Sequence, residues 1–127
     1  MKKEWLMLKQ VLLVISLFCC VLNVWAEADG PDFWEVHSVA ANDRLNIRQQ
    51  PSWQSNKLDS IPPNEQCLPN IECTGGLTFQ EATTLSESEK DALRKQRPRW
   101  CKIRYQGITG WVAAKYLRES SSDQCYE

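Results

Sequence analysis

The chain has 127 residues, with 15 basic and 16 acidic side chains for a formal net charge of −1, 43% hydrophobic residues, six Cys, six Trp and one His. That length suits one small domain. It excludes the (β/α)8 barrel and the doubly wound dinucleotide fold, which need far more chain, and no cofactor is expected.

At the start, Lys2 and Lys3 precede an apolar run from Val11 to Val24 that only Ser16 and Asn23 interrupt. Val24 and Ala26 occupy the −3 and −1 positions of a cut before Glu27, the small-residue pattern of a secretory signal. The run falls short of the roughly 20 apolar residues that span a bilayer. Residues 1–26 therefore read as a signal peptide, and the expected location is periplasmic or secreted, with no membrane contact after signal removal. The alternative is an uncleaved inner-membrane anchor.

Loss of the signal removes Lys2, Lys3, Lys9 and Glu4 and leaves 12 basic and 15 acidic residues. A mildly acidic domain offers no electrostatic footprint for a phosphate backbone, so nucleic acid is not an expected partner. Cys19 and Cys20 leave as well. Cys67, Cys73, Cys101 and Cys125 remain, an even number in an oxidising compartment, which reads as two disulfides with three connectivities open. The four are widely spread and contain no C-x-x-C pair, which argues against a zinc site.

Residues 27–32 form a short linker. From Phe33 to Val39 apolar and polar residues alternate with a period near two. Leu45 and Ile47 alternate with Asn46 and Arg48, Leu58 and Ile61 follow, and then come Cys67–Cys73. In Trp100–Tyr105, Cys101, Ile103 and Tyr105 face one way and Trp100, Lys102 and Arg104 the other. Gln50-Pro51-Ser52, Pro62-Pro63-Asn64, Gln106-Gly107 and Thr109-Gly110 are turn signals. Many short strands without βαβ alternation indicate a mainly β fold, a small antiparallel barrel or sandwich.

One stretch departs from this rhythm. Leu85–Gln96 reads as a helix, opened by the Ser86/Glu89 capping box, basic in its last turn and stopped by Pro98. It lies in an insertion, residues 74–99, between two strands. Residues 120–127 are a polar tail in which Cys125 ties the end of the chain back to the body.

Two motifs resemble a known family. Leu45-Asn46-Ile47-Arg48-Gln49-Gln50-Pro51-Ser52 is similar to the opening of bacterial SH3-like (SH3b) domains. Trp100-Cys101-Lys102-Ile103-Arg104-Tyr105, Gly107 and Gly110-Trp111-Val112-Ala113-Ala114-Lys115-Tyr116-Leu117 resemble their close. The resemblance covers residues 33–119 and extends to a subgroup of exported, Cys-bearing proteins with a helical insertion. It implies a small five-stranded SH3-like barrel with a helical insertion between the third and fourth strands. Leu45, Ile47, Ile103 and Val112 would fill the core, and Ala113–Lys115 would form one 3-10 turn. In that frame Cys73 ends the third strand and Cys101 opens the fourth, within disulfide range, which pairs them and leaves Cys67 with Cys125.

An enzyme is not the expected reading. The single His37 lies in the first strand as a solvated residue, and Glu87 and Glu89 lie on a solvated helix face. Binding is the stronger reading. Beside Src-type SH3 domains, Trp100 stands at the groove Trp and Tyr116 at the groove Tyr, while Ala113 replaces the groove Pro, so a Pro-rich peptide is not the expected ligand. Trp53 in a loop and Tyr105 complete the candidate binding residues; Trp111 reads as core, and Arg48 as the partner of a carboxylate. The inserted helix is expected to cap the groove or supply half of a larger interface. The resemblance implies a monomeric binding module that contacts cell-wall (peptidoglycan) peptide or glycan, or an envelope protein. The alternatives are an inhibitor or assembly factor, and more remotely an accessory to a peptidoglycan-processing enzyme.

Overall fold

The structure is a computed structural model and describes residues 30–126. The proposed signal and most of the linker lie outside the described residues. Seven strands form one antiparallel sheet: β1 (Phe33–Val36), β2 (Leu45–Arg48), β3 (Lys57–Ile61), β4 (Leu68–Thr74), β5 (Trp100–Tyr105), β6 (Ile108–Ala113) and β7 (Leu117–Glu119). Their order is β3-β2-β6-β5-β4-β1-β7.

This corrects the expected closed five-stranded barrel. β1 pairs on both flanks, with β4 through Trp34 opposite Leu68, and with β7 through Trp34 opposite Glu119 and Val36 opposite Leu117. β7 and β3 each have a single partner, so the sheet ends at two edges. The segment from Phe33 already alternates with a strand's period; what local periodicity does not contain is its pairing with a three-residue segment at the other end of the chain, which adds β7 at the sheet's edge.

Local chemistry explains the rest. In β2, Leu45 and Ile47 turn inward while Asn46 and Arg48 stay half-buried, the alternation a pleated strand imposes. They join Val36, Ile61, Leu68, Cys101, Ile103, Val112 and Leu117 in one core. The expected core residues Leu45, Ile47, Ile103 and Val112 are all in it. A register shift between Asn70 and Glu72 leaves Ile71 as the extra residue of a bulge, and it is turned to solvent. Gly110 is required by proximity: a Cβ there would lie 2.5 Å from Ile47 Cγ2 and 2.8 Å from the Arg48 carbonyl oxygen.

The insertion begins after Thr74 and ends before Trp100, which face each other in register. It holds two helices, α1 (Phe79–Thr84) and α2 (Glu87–Gln96), where one was expected. Both open with a capping box, Thr78 with Glu81 and Ser86 with Glu89. Neither helix buries a residue. Arg97 donates to Glu81 Oε2 at 2.8 Å and ties α2's end to α1. The Thr78 backbone N–H and the Arg97 guanidinium together hold the Glu81 carboxyl below the usual carboxylate range.

Two disulfides fasten this frame. Cys73–Cys101 staples the base of the insertion across β4 and β5, and Cys67–Cys125 anchors the tail. The tail is held further: Ser120 is buried, the Cys67 N–H donates to Ser120 Oγ at 3.2 Å, and Tyr126 meets Phe33 edge-on at 5.2 Å. The Tyr126 hydroxyl donates to Asp32 Oδ2 at 2.9 Å, and the adjacent carboxylate raises its pKa above the ordinary tyrosine value. Two disulfides indicate an oxidising environment. No helix among the described residues is long and apolar enough to cross a membrane.

Candidate functional site

One end of the sheet gathers three aromatic residues, Trp53, Trp100 and Tyr116. Trp100 opens β5 and faces Ala113, the last residue of β6, across the ladder. The chain then turns through a 3-10 helix, Ala114–Tyr116, which places Lys115 and Tyr116 beside them. This turn lies one residue later than expected. The β2–β3 loop arrives from the other side. Gln49 N–H bonds the Asn56 carbonyl at 2.9 Å, Gln50 N–H bonds Ser55 Oγ at 2.7 Å, and Arg48 Nη1 donates to the Ser55 carbonyl at 2.9 Å. These bonds hold the loop that carries Trp53.

The result is a stacked cluster. Trp53 is 46% exposed and meets Trp100, only 3% exposed, with ring centres 4.7 Å apart and planes at 64°. Lys115 Nζ lies 5.1 Å from the Trp53 ring centre and 5.0 Å from that of Tyr116. Arg48 Cζ lies 6.0 Å from the Trp53 ring. Trp53, Trp100 and Tyr116, expected as binding residues, therefore converge. Trp100 is the buried support of the cluster, and Trp53 is its exposed face. Tyr105 does not join them: it lies at the far end of β5 and packs against the core. Trp111, read as core, is half-buried and carries Lys102 Nζ at 5.9 Å from its ring centre.

Two concavities meet at this cluster. The first, of about 340 Å³, lies between the β1–β2 connection and the aromatic rings, with Val39, Arg44, Arg48, Trp100 and Tyr116 in its wall. The second, of about 720 Å³, lies between α2 and the 3-10 turn and is lined by Leu77, Arg94, Lys95, Pro98 and Lys115. Trp53 and Ala113 border both and form the ridge between them. The inserted helix thus forms a wall of the second concavity.

The cations here are a feature that the sequence reading missed. Arg48 was expected to pair with a carboxylate; it bonds a backbone carbonyl and faces an indole instead. Arg44 donates to Ser60 Oγ at 2.7 Å and to the Ser60 carbonyl at 2.8 Å. Lys115 faces two rings. Among the described residues none of these three forms an ion pair, whereas Lys90, Arg94, Arg97 and Arg118 all do. The available signal was the adjacency of Lys115 to Tyr116 and of the Arg44 and Arg48 pair to Trp53 in one short stretch.

Other candidate groups lie apart from the cluster or in other roles. His37 falls just after β1; its Nδ1 lies 2.8 Å from Ser38 Oγ, and its backbone N–H donates to the Tyr116 carbonyl. Glu87 pairs with Lys90 on α2 at 2.8 Å. Among the described residues no group of three or more His, Cys, Asp or Glu could hold a metal ion. All four Cys of the described residues are in disulfides. No protein-family model, curated protein or solved structure matches the chain.

Proposed function

We propose that this chain is an exported, non-enzymatic binding module whose contact surface is centred on Trp53 and Tyr116. The reading covers cell-wall peptide or glycan and envelope proteins as ligand classes. The observation that carries it is the exposed Trp53 indole standing on a ridge between two concavities, supported edge-on by buried Trp100. An aromatic anchor supported by a rigid frame and rimmed by polar side chains is the usual anatomy of a binding hot spot. The two disulfides are consistent with export.

A second reading, an inhibitor or assembly factor acting on an envelope protein, is favoured by the cationic character of the second concavity. Two assays separate the ligand classes. Sedimentation with purified sacculi detects a wall ligand, and affinity capture from periplasmic extract detects a protein partner. Trp53→Ala should abolish whichever retention is seen while the protein stays folded. Undiminished retention by that variant removes the Trp53 surface from the account.

A further inference from the structure

The second concavity differs from the first in the charge of its wall. Arg94, Lys95, Arg99 and Lys115 line it, and Asp91, the acidic residue among its lining groups, is engaged by Arg94 at 2.9 Å. Lys95 and Lys115 form no ion pair among the described residues. Acidic residues outnumber basic ones outside the proposed signal, so this local excess of cations is a property of the groove. Unpaired cations focused in a concavity attract and orient an anion.

The aromatic wall narrows the ligand class further. Neutral sugars stack on open aromatic faces. Here Lys115 Nζ and Arg48 Cζ lie over the Trp53 ring, at 5.1 and 6.0 Å from its centre. A sugar ring would have to displace those cations and forfeit the cation–π attraction that holds them. A carboxylate instead meets an ammonium that is already positioned. The groove also has apolar lining from Leu77, Pro98, Ala113 and Ala114. A polyanionic glycan has no aliphatic side chains to place against that lining, whereas a peptide can alternate carboxylates with them.

We propose that the groove between α2 and the 3-10 turn binds an acidic peptide segment of a partner protein, with carboxylates on Lys95 and Lys115 and aliphatic side chains against Pro98 and Ala114. This rests on the binding-module reading above and names its partner class.

The test uses fluorescence anisotropy with the signal-free chain, disulfides intact. The probe is a fluorescein-labelled twelve-residue peptide of alternating Glu and Val, with Gln/Val and Lys/Val peptides as controls and polygalacturonate as an anionic glycan. The Glu/Val peptide is expected to bind, and the Gln/Val and Lys/Val peptides to bind at least about tenfold more weakly. The double variant Lys95→Glu, Lys115→Glu should weaken binding by at least about tenfold, with an unchanged circular dichroism spectrum. The milder pair Lys95→Gln, Lys115→Gln should lie between. No signal with the Glu/Val peptide, equal binding of the Gln/Val peptide, indifference to both double variants, or preferential binding of polygalacturonate each overturns the proposal. Sacculus sedimentation and extract capture run in parallel distinguish its failure from that of the broader reading. Retention without peptide binding removes the acidic-peptide assignment alone, and the absence of both retention and peptide binding removes both.

Discussion

Trp53 and Trp100 meet edge to face at 4.7 Å, one ring half in solvent and the other sealed. The contact divides one aromatic pair into a supporting half and a contacting half, and truncation of each should give opposite phenotypes. Trp100→Ala removes a buried indole and should cost about 3–5 kcal/mol of stability. Trp53→Ala loses the edge contact and some partly exposed area, about 1–2 kcal/mol, yet should lose partner capture. Thermal melts alongside a retention assay check this. Equal losses of stability would show that Trp53 is packing and not contact surface.

Gly110→Ala should be among the most damaging single changes in the sheet. The added methyl would overlap Ile47 Cγ2 and the Arg48 carbonyl oxygen. Cβ atoms do not tolerate such distances, so β2 and β6 must part, at about 1–3 kcal/mol or more. Because Arg48 leads into the Trp53 loop, ligand binding should weaken along with the melting temperature. A variant that melts like the wild type would refute the close approach of β2 and β6.

The two disulfides should separate under mild reduction. Cys73–Cys101 has one sulfur fully buried in the core, at Cys101, and one half-buried, at Cys73, whereas both Cys67 and Cys125 are half-buried at the tail. Low concentrations of dithiothreitol should therefore open Cys67–Cys125 first, as followed by alkylation and mass spectrometry. Each bridge closes a loop, of 28 and 58 residues in separation for Cys73–Cys101 and Cys67–Cys125. Replacing either pair with Ser should cost about 3–4 kcal/mol in the chain-entropy account. Simultaneous alkylation of all four thiols would contradict the difference in burial.

Two titrations should act at opposite ends of the pH scale. Glu81 is held ionised by Thr78 and Arg97, so its contribution is complete above the ordinary carboxylate pKa and fades as pH falls through its lowered value. Tyr126 is favoured in its neutral form by Asp32, so its contribution is complete below the ordinary tyrosine pKa and is lost as pH rises through its raised value. Acid should loosen α1 and strong base the tail. Amide hydrogen exchange at Leu85 and Ser120 reads the two separately, and Glu81→Gln and Tyr126→Phe should each flatten their own limb.

Much of the frame was legible because pleating writes itself into sequence. Leu45 and Ile47 alternate with their neighbours, Ser86 and Glu89 announce a helix start, and Cys73 and Cys101 flank the insertion. What escaped was set by distant pairing. Trp34 opposite Glu119 joins the first strand, visible in its own alternation, to a short segment at the other end of the chain, and no local pattern encodes that partnership. α1 escaped for a different reason: it buries nothing, with Phe79 turned out to solvent, so it has no apolar stripe to find. Its capping box at Thr78 and Glu81 was the only available sign. At the site, the aromatic residues were visible as such, but the burial of Trp100 and the exposure of Trp53 depend on each other's position. Arg48 was misjudged because its partner, the Ser55 carbonyl, is backbone and leaves no trace in composition.

The insertion enters and leaves the sheet at two residues already opposite each other, Thr74 and Trp100, with a covalent cross-link one position further in. A segment attached in this way is structurally separable from the sheet. Its helices can be lengthened, shortened or rewritten while the ladder beneath keeps its register, much as a tool head is changed on a fixed handle. Replacing residues 75–99 with a tight Asn-Gly turn should leave a folded hairpin with intact β4–β5 amide protection, stripped of one wall of its larger groove. Collapse of that protection would instead mean that handle and head fold as one piece.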